Sequence, residues 1–223
     1  HNTEQPVVHL LDKIYNALNS PEGSQYTLAI FIDLTKAFDT CPVDVLLHKL
    51  NFYGFRGVAN TWFRNYLTSR RQYVAIRGEH SSHKEISMGV PQGSILGPIL
   101  FIVLINDLPN ASKLFFTLLY ADDTTLKISS SDLQFLYKTA NTELEKLADW
   151  FRANQLTLNI SKTKYILFRD KKMNVDFSDL NLKIDNDNIE RIGEDCKEKY
   201  FKFVGLHLDE FLTWNHHAKY VHS

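Results

Sequence analysis

Cysteine is nearly missing. Cys41 and Cys196 are the only two in 223 residues, too few for the disulfide framework of a small secreted domain. Both read as reduced, structural thiols. Net charge is also missing: 25 basic residues face 26 acidic ones, for a balance of −1. No global positive field draws in nucleic acid, so any basic footprint must be local. Long apolar runs are absent too. The longest, Ile95 to Ile105, holds eleven residues and is broken by Gly97 and Pro98, whereas a bilayer span needs about 20. It reads as a buried helix, and no membrane partner is expected. The start, His1-Asn2-Thr3-Glu4-Gln5, is polar and lacks both a signal-peptide pattern and an initiator Met. The expectation is an intracellular piece of a longer chain, in nucleus or cytoplasm and not secreted. Neither an internal repeat nor a low-complexity tract occurs. At 44% hydrophobic and 23% charged residues, the composition is that of a globular chain, not a disordered or coiled-coil one.

Apolar residues at helical spacing run from Val7 to Leu18, and Ser20-Pro21-Glu22-Gly23 ends them. Tyr26 to Leu34 reads as a buried strand that stops at Asp33, and a helix follows from about Pro42 to Phe52. Residues 56–84 then change character. Six bases (Arg56, Arg64, Arg70, Arg71, Arg77 and Lys84) face one acid, Glu79, with Trp62, Phe63, Tyr66 and Tyr73 interleaved. The local balance is +5. This is the basic footprint, in which arginines reach phosphates and aromatics stack on bases; the plainer alternative is an arginine-rich solvated helix with its aromatics in the core.

A Gly- and Pro-punctuated loop spans Met88 to Gly97, with Ser94 placed as an N-cap. Leu114–Tyr120 and Thr124–Ile128 form a hairpin with acids at its tip. Ser131 and Gln134 have capping-box spacing before a stripe of Leu133, Leu136, Tyr137, Ala140, Leu144, Leu147 and Phe151. Short strands follow at Tyr165–Phe168, Leu182–Ile184, Ile189–Ile192 and Phe201–Leu208, with a turn at Asp185-Asn186-Asp187-Asn188. This order predicts an α+β fold, helices packed on one face of a largely antiparallel sheet.

Three carboxylates stand out by position. Asp33 ends an apolar strand, and Asp122 and Asp123 sit at the tip of an apolar hairpin. Adjacent carboxylates among hydrophobic strands repel one another and resist desolvation, so they are protonated, solvated or holding a cation. Oxygen-only ligands suit Mg²⁺ or Mn²⁺, and two such ions about 4 Å apart activate a hydroxyl and stabilise a leaving phosphate oxygen. Taken alone, an Asp-Asp pair in a hairpin is also an ordinary polar turn. His216 and His217 lack a third ligand at zinc spacing.

The company these acids keep is more specific. Phe31-Ile32-Asp33-Leu34-Thr35-Lys36-Ala37-Phe38-Asp39, then Gly89-Val90-Pro91-Gln92-Gly93-Ser94 on to Asn106-Asp107-Leu108-Pro109, Tyr120-Ala121-Asp122-Asp123, Asn159 to Thr163 and Tyr200 to Gly205 stand in order. With these blocks the chain resembles the reverse transcriptases, and more narrowly the polymerase domain of jockey-type non-LTR retrotransposons. A mobile-intron polymerase is the other right-hand option, and the stretch from Asp185 through Gly205 to Trp214 is more like the non-LTR type. The resemblance implies a right-hand palm with partial fingers and the start of a thumb. Partial fingers would cover 1–25 and about 53–90, palm 26–52 and 91–199, and primer grip with truncated thumb 200–223.

The resemblance also implies roles. Asp33 and Asp122 would be the principal ligands of two Mg²⁺ or Mn²⁺ ions, supported by Asp123. Phe38 would be a steric gate against the 2′-hydroxyl. Gln92 and Gly93 would sit by the incoming deoxynucleoside triphosphate, and Lys162 near the leaving pyrophosphate. Arg64, Arg70 and Arg71 of the basic segment, with Phe203 and Gly205 of the primer-grip block, would meet the nucleic acid. Lys164, Lys171 and Lys172 read as solvated lysines. The implied activity is RNA-directed DNA synthesis on an RNA or DNA template with a DNA primer, in a piece of a larger polyprotein. The alternative is a non-catalytic nucleic-acid-binding module on the same scaffold.

Overall fold

The computed structural model describes residues 3–222. In chain order its elements are α1 (Glu4–Leu18), β1 (Tyr26–Ile32), α2 (Val43–Phe52), α3 (Val58–Leu67), β2 (Arg70–Gln72), β3 (Ala75–Ile76), β4 (Glu79–His80), β5 (Lys84–Ile86), α4 (Leu96–Ile105), β6 (Phe116–Tyr120), β7 (Asp123–Ser130), α5 (Leu133–Ala153), β8 (Lys164–Phe168), β9 (Lys183–Ile184), β10 (Asp187–Asn188), β11 (Glu190–Ile192), β12 (Phe201–Phe203), β13 (Leu206–Leu208) and α6 (Asn215–His222). Two compact units form. One holds the chain up to Asp33, Pro109–Asp149 and the chain from Leu158 on; the other holds Leu34–Leu108 and Trp150–Thr157.

The first unit is built on a five-stranded sheet in the order β11-β8-β1-β7-β6. Its neighbours are antiparallel except for β11, which runs parallel to β8. The central β1, Tyr-Thr-Leu-Ala-Ile-Phe-Ile, is buried at every position but its first. A strand covered on both faces shows a continuous apolar run instead of alternation. On one face Ala29, Phe31, Ile166 and Phe168 pack against Val7, Leu10 and Ile14 of α1. On the other, Tyr165 meets Tyr137 of α5 edge to face, ring centroids 6.1 Å apart. The α+β class is as expected, but helices cover both faces of this sheet, not one. The apolar stripe of α5 is as read, whereas its cap is Asp132, not Ser131. The Asp132 carboxylate accepts the Phe135 N–H at 3.0 Å.

In the second unit, Leu46, Leu47 and Leu50 of α2 and Leu100, Phe101 and Leu104 of α4 are buried. Lys49 is held between the Leu104 carbonyl and Asp107, both at 2.5 Å. Ser94 does cap α4: its Oγ accepts the Gly97 N–H at 3.0 Å. Two expectations are corrected. The apolar α4 is buried on one face only, with Ile95, Ile99 and Ile102 exposed. The basic segment is not one solvated helix; after α3 it folds into two short hairpin pairings, β2 with β5 and β3 with β4. Arg-Arg-Gln in β2 carries no apolar alternation to announce a strand.

Candidate active site

Asp33 follows directly on the last paired residue of the central strand, where Ile32 lies opposite Thr124 of β7. The hairpin between β6 and β7 closes on the pair Tyr120 and Asp123, so Ala121 and Asp122 form a two-residue turn. That register places Asp123 beside the end of β1. Ala121 has φ 54°, a left-handed backbone that costs an L-residue about 1–2 kcal/mol. Strain of this kind gathers where a structure over-determines a site.

The backbone of Asp33 is pinned from a third element. Its N–H donates to the Thr163 hydroxyl at 3.2 Å, that hydroxyl donates to the Asn159 carbonyl at 2.9 Å, and the Asn159 N–H donates to the Asp33 carbonyl at 2.9 Å. Thr163 is fully buried. The Asn159–Thr163 block thus has a geometric reason: it locks the strand end that carries the carboxylate.

Asp33, Asp123, Lys162, Phe201, Lys202 and Phe203 line one concavity of about 240 Å³. Burial raises the Asp123 carboxyl above its usual range, and the charges of Asp122 and Asp33 push the same way. The three expected carboxylates are therefore electrostatic neighbours, although Asp122 does not line the concavity. Their donors are oxygens only, the kind that suits Mg²⁺ or Mn²⁺. Among the described residues no three His, Cys, Asp or Glu side chains are gathered as a metal-holding group. An open wall of two carboxylates still fits Mg²⁺, which is commonly held by one or two carboxylates with substrate phosphates and water completing the shell.

The hairpin of β12 and β13 contributes Phe201, Lys202, Phe203 and Val204 to the same lining. Phe201 stacks on Phe31 with centroids 4.0 Å apart and planes 15° off parallel. Its turn is Val204-Gly205, with φ 45° and 90°. Two positive φ values define the turn twist that closes two-residue hairpins. Phe203, expected at the nucleic acid, is 3% exposed and packs among Phe31, Ile166 and Leu208. Its ring anchors the hairpin. Gly205 is the exposed member of the pair. Sequence reading missed Phe201 and Lys202 as wall residues. It also misread Lys164, which is buried and ion-paired with Glu190 across the parallel β8–β11 register.

The second unit brings Phe38, Gln92 and Gly93 into one neighbourhood. Phe38 packs on Phe101 at 5.0 Å. The loop that carries Gln92 is stitched to the segment after Phe38: Gly89 N–H donates to the Cys41 carbonyl at 2.7 Å, and Val90 N–H to the Phe38 carbonyl at 2.8 Å. Gly89 has φ 83°, and a Cβ there would meet the Asp39 carbonyl oxygen at 2.5 Å. Only glycine permits that approach. Gln92 donates to the Asp39 carboxylate at 2.6 Å. Lys36, Asp39, Arg70, Gln72 and Gln92 line a concavity of about 680 Å³. Cys41 lies buried nearby, its thiol pushed up to about 12 by burial against the opposing pull of Arg70. It is a packing residue.

The three arginines expected to reach nucleic acid have partners inside this unit. Arg70 donates to the carbonyls of Leu67, Met88 and Gly89. Arg64 stands 3.7 Å from Asp44, and Arg71 3.6 Å from Glu85 across the hairpin. Arg70 is a strut for the Gln92 loop. Arg64 and Arg71 form exposed pairs, which hold weakly.

An antiparallel sheet with a carboxylate ending its central strand and two more on the adjacent hairpin is the palm of a right-hand polymerase. Comparison with known proteins agrees. The family described as reverse transcriptase (RNA-dependent DNA polymerase) matches residues 3–208, and the chain belongs to it. It is 31% identical to the Drosophila melanogaster protein named "Probable RNA-directed DNA polymerase from transposon BS", over 98% of this chain and 24% of that one. It is 26% identical to the RNA-directed DNA polymerase from mobile element jockey of the same organism, over 93% of this chain and 22% of that one. The chain thus spans about a quarter of the length of these relatives. Among solved structures it resembles apo telomerase from Candida tropicalis truncated from the C-terminal domain, with TM-score 0.60, 15% identity, and coverage of 96% of this chain and 40% of that one. It also resembles Candida albicans telomerase, with TM-score 0.61, 13% identity, and coverage of 94% and 33%. Among the described residues no helix is long and apolar enough to cross a membrane.

Proposed function

We propose that this chain carries the active site of an RNA-directed DNA polymerase of the non-LTR retrotransposon kind. The observation that supports it most is the meeting of Asp33 and Asp123 on one concavity with Lys162, while Asp122 lies close enough to raise the Asp123 carboxyl. The reaction would join a primer 3′-hydroxyl to the α-phosphate of a deoxynucleoside triphosphate and release pyrophosphate. Asp33 and Asp122 would hold two Mg²⁺ or Mn²⁺ ions, with Asp123 beside them, and the bound ions would supply acidity to the hydroxyl and neutralise charge on the phosphate. The protein's own share is positioning. The Thr163–Asn159 clasp fixes Asp33. Lys162 offers its ammonium to the departing phosphate. Phe38 excludes a 2′-hydroxyl by bulk, a repulsive form of specificity. Gln92 and Gly93 face the nucleotide, and the exposed Gly205 turn faces the primer.

One observation favours a second reading, a nucleic-acid-binding module without chemistry: Asp122 does not line the concavity that holds Asp33 and Asp123. Primer extension separates the two. A DNA primer on an RNA template should lengthen with deoxynucleotides and Mg²⁺; a chain that binds the hybrid yet never extends it is the module.

A further inference from the structure

The helix α4 has a sequence out of keeping with its place at the surface. None of its ten residues, Leu96 to Ile105, carries a polar side chain. A helix that is apolar all round is normally buried all round. Here only one side is covered, where Leu100, Phe101, Leu104 and Ile105 are buried. The other side presents Ile95, Ile99 and Ile102, which form one stripe at i, i+4 and i+7, with Pro98 exposed between them. Ile95 is 88% exposed. The stripe runs on to the end of α2. Asn106, one turn beyond Ile102, donates from its side-chain amide to the Tyr53 hydroxyl at 3.2 Å. The Tyr53 ring lies 5.7 Å from that of Phe52, which is 76% exposed.

Size and charge together say what fits this face. Scaling each side chain's full area, about 150–250 Å² for an aromatic, by its exposed fraction gives on the order of 600 Å² in all. That is the top of the range of about 300–600 Å² for the largest apolar patch on a monomer. Two such faces pressed together would bury on the order of 1,200 Å², the lower bound of a specific protein–protein interface. The nearby charges are already engaged: Lys49 pairs with Asp107, Arg64 stands by Asp44, and Arg56 donates to the Asn51 carbonyl. No position of the stripe offers a charge that an acidic or basic partner could recognise. A two-fold axis sets a surface against itself, and like charges brought opposite one another disfavour association. A face without charge escapes that repulsion.

We propose that the outer face of α4, with Tyr53 and Phe52, is an interface between two copies of this chain. A two-fold axis passes near Ile99, the middle of the stripe, and the isoleucines of the two α4 helices interdigitate there. All the residues involved lie within one compact unit of the chain. The small area makes the dimer weak, so its population depends on concentration. The inference is independent of the proposed function, because none of these residues lines the carboxylate concavity.

Sedimentation velocity of the whole chain, over a concentration series reaching about 100 μM, tests the proposal. The mass should rise from one chain to two along the series. Ile99→Glu and Ile99→Lys should each stay monomeric, because either one places like charges together at the axis. An equimolar mixture of these two variants should recover the two-chain species, since opposite charges then meet, and a folding defect could not produce that recovery. Phe135→Glu, a charge added at an exposed ring of the other unit, should associate like the parent. Circular dichroism checks that each variant is folded. A parent chain that stays monomeric throughout would overturn the proposal and leave the face to a different protein. Dimers of Ile99→Glu as strong as the parent's, or a mixture that stays monomeric, would overturn it as well. Because no catalysis is measured, a chain that dimerises but never extends primers loses the polymerase reading and keeps this interface; a chain that extends primers as a monomer at every concentration does the reverse.

Discussion

The two cation-bearing regions teach opposite lessons. Residues 56–84 carry a formal +5, yet Arg70 spends its donors on three carbonyls, Arg64 and Arg71 face acids, and Arg56 donates to the Asn51 carbonyl at 3.2 Å. Residues 197–222 carry four lysines among three acids, and two of those acids are buried and used internally. A charge count along a chain is therefore not a count of surface charge. Arginine, with a planar fork of donors, is readily absorbed into the scaffold; the solvated lysine ammonium tends to stay outside.

The comparison breaks most visibly at Glu210. If this acid belongs to the interior, Glu210→Ala leaves the half-buried Arg169 without its carboxylate and Arg191 with Asp195 alone, and breaking a buried pair costs up to about 3–5 kcal/mol. Urea unfolding should show that loss, while Glu85→Ala, which frees an exposed arginine, should cost under about 1 kcal/mol. Equal small effects would mean that Glu210 is not internal. A smaller contrast lies within the basic segment. Arg70→Ala should unfasten the Gln92 loop and cost about 1.5–3 kcal/mol, since three hydrogen bonds from a charged donor are lost. Arg71→Ala should be nearly silent in the same assay. If both are silent in stability and both weaken hybrid binding, the arginines face the nucleic acid after all.

Least in size, a third buried acid gives a pH signature. Burial opposes the charge on Glu143, but hydrogen bonds from Lys146 and Ser112, both 2.5 Å, hold its carboxyl below the ordinary range. A depressed folded-state pKa adds stability above the unfolded value, near 4.3, and that stability is lost as pH falls through the folded value. Glu143→Gln should therefore flatten the acid side of the melting-temperature profile and leave the slope above pH 7 alone. An identical acid limb in the variant would remove Glu143 from the account.

Much of the fold was legible because its signals are local. The unbroken apolar run of β1 announced a buried strand, and the position of Asp33 at its end followed; that helices cover the sheet on both faces did not. The stripe of α5 was clear for the same reason. Less was readable where partners come from afar. β2 to β5 are too short to show alternation, and β2, β4 and β5 are charged as well. Lys164 looks like any solvated lysine until β11 brings Glu190 alongside. Ser131 has capping-box spacing, and the side-chain hydrogen bond made by Asp132 overrides it. Phe203 has an aromatic's two options, wall or contact, and burial chooses the first. At the candidate site the carboxylates were readable and their support was not. The Thr163–Asn159 clasp and the Phe31–Phe201 stack are long-range contacts that no spacing rule reveals.

The central claim is that Asp33, Asp122 and Asp123 act together at one catalytic centre. Asp122→Asn tests it most directly, because Asp122 sits at an exposed turn where the change should leave unfolding unaltered. RNA-templated primer extension in Mg²⁺ should fall at least about a hundredfold, the scale of losing one electrostatic contact to a transition state. Extension at the parent rate by a folded Asp122→Asn chain would contradict the claim.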